Sequence, residues 1–62
     1  MNVGDRVQII NEQSAVLYNP TWIRGEIGEI IHVGETHVDV QLRCKSIFTL
    51  RIDSVRPENL NE

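Results

Sequence analysis

Cysteine, proline and aromatic residues are all scarce in this chain. Its 62 residues include one cysteine, two prolines and one each of tryptophan, tyrosine and phenylalanine. A lone cysteine, Cys44, excludes an intrachain disulfide and any zinc or iron–sulfur centre built from several cysteines of one chain. Its expected role is that of a small apolar or turn residue. No apolar run approaches the roughly 20 residues of a membrane-spanning helix. No signal-peptide pattern opens the chain, and with no disulfide framework this points to a reducing, intracellular compartment, the cytoplasm. A phosphate-loop glycine pattern and a catalytic Ser/His/Asp set are also missing. His32 and His37, five residues apart across a loop, with Glu35 give only a weak metal-site signal, and the carboxylates of Glu26 and Glu29 are expected in solvent. Neither an independent enzyme nor a bound cofactor or metal is therefore expected.

What is present is enough for one small domain, residues 1–62. A chain of this size buries only about 60% of its unfolded surface, so its stability is marginal without staples. Charge is uneven. Residues 1–42 hold six acids and two bases, a net of −4, whereas residues 43–56 hold Arg43, Lys45, Arg51 and Arg56 against Asp53, a net of +3. Such a basic segment on an acidic body steers oppositely charged partners.

Alternation of apolar and polar residues dominates the pattern. In VGDRVQII, Val3, Val7 and Ile9 alternate with polar residues at strand period. In HVDVQLRCKSIFTLRI, Val38, Val40 and Leu42 precede a polar turn, and Phe48, Leu50 and Ile52 follow it, as in a β-hairpin. Matching the apolar faces pairs Leu42 with Phe48, Val40 with Leu50 and Val38 with Ile52, and sets Asp39 opposite Arg51 and Gln41 opposite Thr49.

RGEIGEIIHV is harder. Ile27, Ile30 and Ile31 have helical spacing, but Gly25 and Gly28 interrupt it and each costs a helix about 1 kcal/mol relative to alanine. The β-branched isoleucines favour a strand, followed by a Gly34–His37 loop that brings Val33 to Val38 and Ile31 to Val40. Plain alternation then buries Glu29 and exposes Ile30. Either a bulge at Gly28–Glu29 or a strand partly covered on both faces resolves the conflict.

Residues 11–24, NEQSAVLYNPTWIR, have no sustained period, and Asn19-Pro20 signals a turn. Long excursions in small domains are more often functional than average. Tyr18, Trp22 and Arg24 there either cover an open end of the core or present a partner-binding surface. Near the C-terminus, Asp53-Ser54-Val55 reads as a tight turn that anchors Val55, and Pro57 confines a last short strand to an edge. The expected architecture is all-β: a small five-stranded SH3-like barrel with a long loop between strands one and two. Its expected core is Val3, Val7, Ile9, Ile27, Ile31, Val33, Val38, Val40, Leu42, Phe48, Leu50, Ile52 and Val55.

MNVGDRV joined to VLYNP, then GEIGEI, then VDVQLRCKSIFTLRIDSV, resembles the variable (alpha) chain of ferredoxin–thioredoxin reductase over nearly the whole sequence. Two connecting segments are shorter here than in that family. The resemblance implies a cofactor-free barrel that supports a separate catalytic chain, with ferredoxin docking nearby, in an electron-transport complex of the cytoplasm or plastid stroma. Ferredoxins are acidic, and a basic edge of Arg43, Lys45, Arg51 and Arg56 would suit them, an inference from charge alone. Together with Tyr18, Trp22 and Arg24, these are the expected partner-binding residues. GDRV and GEIGEI are also similar to KOW modules, which bind nucleic acid or transcription proteins, and to photosynthetic ferredoxin-docking barrels. A formal net charge of −3 disfavours nucleic acid, whose affinity comes mainly from phosphate neutralisation. A small phage or mobile-element regulator using the same barrel is a further alternative.

Overall fold

The computed structural model describes residues 1–12 and 19–58; Tyr18 and the chain beyond Glu58 lie outside the described residues. Five strands, β1 (Arg6–Ile9), β2 (Ile27–Val33), β3 (His37–Leu42), β4 (Ile47–Arg51) and β5 (Val55–Pro57), form one antiparallel sheet in the order β4-β3-β2-β1-β5. The two edge strands are consecutive in the chain, joined only by a 3₁₀ turn over Ile52–Ser54. In a flat sheet they would stand four spacings, about 19 Å, apart. Four peptide steps from Arg51 to Val55 reach at most about 14 Å. The sheet must therefore curl until its edges approach at this end. β4 and β5 do not pair, so the structure is barrel-like rather than a closed barrel.

The inner face carries Val7, Ile9, Ile30, Val38, Val40, Leu42, Leu50 and Val55, all buried, with Ile23 entering from the β1–β2 excursion. Phe48 and Ile52 pack against them half-buried. Several positions differ from expectation. Val3 is 64% exposed, because Asp5 N–H bonds to Asn2 C=O at 3.1 Å and the chain turns through Gly4 at φ +98°. Alternation therefore begins only at Arg6. Ile30, which plain alternation would expose, is fully buried, whereas Ile27 and Ile31, expected in the core, are half-buried and Val33 is exposed.

The cause is a bulge, and it lies beyond Gly28. Ile30 pairs with Val40 and His32 with Asp39, leaving Ile31 as the extra residue. Ile30 is bonded through its backbone to Asp5 C=O and Gly4 N–H, the last contacts from the β1 side. Past them β2 is no longer held on both sides, and sheet edges are where bulges concentrate. Ile31 expected at Val40 is thus replaced by Ile30, while Val33 does meet Val38. Gly28 has a different task. A Cβ there would lie 2.6 Å from Val40 Cγ1 and 2.7 Å from Gln41 O.

The β3–β4 hairpin keeps its expected faces but shifts its pairing by two residues: Val38 meets Leu50, Val40 meets Phe48, and Asp39 meets Thr49. Thr49 Oγ1 donates to Asp39 Oδ1, and Arg51 instead pairs across to His37. The turn decides this. Leu42 N–H bonds to Ser46 C=O at 2.8 Å and Lys45 N–H to Leu42 C=O at 2.9 Å, with Lys45 at φ 77°. That is a three-residue loop, a type I turn followed by a left-handed residue. Lysine pays for this conformation and glycine does not. Lys45→Gly is expected to raise stability by about 1 kcal/mol, read as a higher urea midpoint with unchanged slope.

Candidate functional site

The described end of the excursion between β1 and β2, from Asn19 onward, is bonded to the sheet. Asn19, 7% exposed, donates through its side-chain amide to Glu12 C=O at 3.1 Å and Thr49 C=O at 3.0 Å. Pro20 then leads into a 3₁₀ turn over Thr21–Ile23. Ile23 is the buried anchor of that turn, and one position before it Trp22 is left 55% exposed. The Trp22 ring stands edge-on to Phe48, centroids 5.7 Å apart at 84°, a favourable aromatic geometry. One side of the indole therefore rests over the core's rim at Phe48 while the rest meets solvent.

Arg24 fixes the end of this segment. Its Nε and Nη2 donate to the Glu12 carboxylate at 2.9–3.1 Å. The guanidinium, then the Glu12 backbone N–H, hold the Glu12 carboxyl below the ordinary glutamate range. A folded-state pKa below the unfolded one gives a contribution that is full above the unfolded value and lost as pH falls through the folded one. An NMR titration should therefore place the Glu12 inflection below that of an ordinary glutamate, and Arg24→Gln should move it back toward the ordinary range.

The other expected partner-binding cations fall in three places. Arg51 bonds to Asp53 at 3.2 Å at the far end of β4 from the turn. Arg56 on β5 donates to Gln8 Oε1 at 2.9 Å. Arg43 and Lys45 stand at the tip of the β3–β4 hairpin and line an open groove of about 310 Å³ on the outer side of β2 and β3. Arg6, absent from the expected set, lines its opposite wall beside Glu29, its cross-strand neighbour. Only the β1–β2 register reveals that neighbour. Cys44 is exposed between Arg43 and Lys45, in the turn role expected of it; hydrogen bonding with Ser46, first its side chain and then its backbone, holds the thiol pKa below the ordinary range.

His37 Nδ1 lies 2.7 Å from Thr36 Oγ1, and among the described residues no group of three His, Cys, Asp or Glu is placed to hold a metal ion. No helix among them is long and apolar enough to cross a membrane. No protein-family model, curated protein or solved structure matches the chain.

Proposed function

We propose that this chain is a non-catalytic protein-interaction domain whose partner surface is centred on Trp22. The observation that carries the reading is a tryptophan 55% exposed yet braced edge-on by Phe48 and followed by the buried anchor Ile23. A rigid, half-exposed aromatic loses little conformational freedom on binding, and tryptophan and arginine supply a large share of interface binding energy. Arg24, two residues further along the chain, is oriented by Glu12 and keeps a largely exposed side chain.

The finer form of the proposal is an accessory subunit of a ferredoxin-dependent redox complex. It rests on the resemblance of MNVGDRV, VLYNP and GEIGEI to the reductase variable chain, and on the exposed cations Arg43 and Lys45, whose charge suits an acidic protein. Trp22 is the chain's one tryptophan, so its fluorescence gives the test. Adding the catalytic chain of a ferredoxin–thioredoxin reductase, or a plant-type ferredoxin, should shift the emission saturably. By isothermal titration calorimetry, which needs no tryptophan, Trp22→Ala should weaken the complex at least about tenfold. No shift with either protein, from a chain that remains folded, would sink the redox-subunit form. A Trp22→Ala chain that binds undiminished would remove Trp22 from the surface. Tight RNA binding with a steep salt dependence would instead favour the nucleic-acid alternative.

A further inference from the structure

We infer that the groove between Arg6 and the β3–β4 turn is a second recognition site, one that takes a carboxylate-bearing peptide segment of a protein partner. Three observations converge on it. The first is charge. Of the six cations in the chain, Arg6, Arg24 and Arg51 are in ion pairs and Arg56 is bonded to Gln8. Arg43 and Lys45 are exposed, have no ion-pair partner among the described residues, and both line the same groove.

The second is how those two charges are held. Lys45 occupies a left-handed conformation at φ 77°, a position glycine fills without strain. Strained non-glycine residues cluster where the side chain is needed. The tip is braced from within the groove, where Gln41 Nε2 donates to Lys45 C=O at 3.3 Å, so the turn presents both side chains from a fixed backbone.

The third is shape. Ile27 and Leu42 add aliphatic surface between the charged walls, and about 310 Å³ is the lower range of small-ligand clefts. This suits the stem and backbone of an acidic side chain better than an isolated ion. A nucleic-acid strand fits less well. Nucleic-acid affinity comes from neutralising many phosphates, and two unpaired cations give only a weak contribution of that kind.

The site deepens the interaction-domain reading but is separable from Trp22. The test uses isotope-labelled chain titrated with a capped octaglutamate peptide, an octaglutamine control and a single-stranded oligonucleotide. Octaglutamate should shift the resonances of Arg6, Gln41, Arg43 and Lys45, with no response to octaglutamine. Lys45→Gly combined with Arg43→Gln should weaken binding by about tenfold or more. Lys45→Gly relieves backbone strain, so loss of binding in that variant is not loss of fold. Trp22→Ala should leave octaglutamate binding intact, which separates failure of this site from failure of the Trp22 surface. Equal shifts with octaglutamine, shifts confined to other surfaces, binding unchanged in the double variant, or tighter binding of the oligonucleotide would each overturn the assignment.

Discussion

Gly28→Ala is expected to lower stability by about 3 kcal/mol, the upper range of overpacking a close-packed interior. Gly28 lies between Val7 and Leu42 in one inward-facing row, paired with both. An added Cβ would stand 2.6 Å from Val40 Cγ1 and 2.7 Å from the Gln41 carbonyl oxygen. The valine methyl has some freedom to move, but the carbonyl belongs to the β3 backbone and does not. Separating the strands enough for a methyl group would break the pairing that aligns Ile30 with Val40. A staple-free domain of this size has only about 3–5 kcal/mol in total, so the variant should keep only about 0–2 kcal/mol at room temperature, with a thermal midpoint lower by about 15 °C. Gly25→Ala is the control. Gly25 has φ +90° and open space around it, so its cost is conformational, about 1 kcal/mol. A thermal melt in which both substitutions cost the same would contradict the close approach at Gly28.

Ile30→Ala is expected to cost about 3–4 kcal/mol and Ile31→Ala about 1 kcal/mol, as measured by urea denaturation. The two neighbours have the same side chain and differ in how deeply they are buried. Ile30 is fully buried between the backbone of the first turn and Val40. Ile31 is the extra residue of the bulge and is only half-buried. Equal or inverted losses would place the bulge elsewhere, at Gly28–Glu29 for example, where Ile31 would turn inward.

These two positions show where the sequence was readable. The alternation of Val38, Val40 and Leu42, and of Phe48 and Leu50, assigns each residue to its correct face in the hairpin. It does so even though the pairing differs by two residues, because a shift by an even number preserves every face. Apolar matching cannot separate the two registers. The turn separates them, and a lysine in the left-handed region carries no local signal such as glycine or asparagine would give. Ile23 is missed for a related reason: it is a lone anchor in a segment with no period, buried where Asn19 bonds to β4 and Gly25 to β1.

The candidate surfaces divide in the same way. Trp22 and Arg24 stand out by composition and place in the chain, and Arg43 and Lys45 by the local excess of charge. That Arg6 faces these two across a groove, whereas Arg51 and Arg56 are engaged by Asp53 and Gln8, depends on which strands become neighbours.

By itself the sequence determined the strand content, the hairpin, the faces of most strands and the edge position of the Pro57 strand, because period and turn chemistry are local properties. The bulge after Ile30, the close approach at Gly28, the pairing of β3 with β4 and the meeting of Arg6 with Arg43 and Lys45 were decided only in the tertiary structure. The helix-like spacing of Ile27, Ile30 and Ile31 in RGEIGEIIHV is the trace of a strand that changes face. Where it changes depends on how far β1 runs alongside it, a contact between segments that no spacing within either segment records.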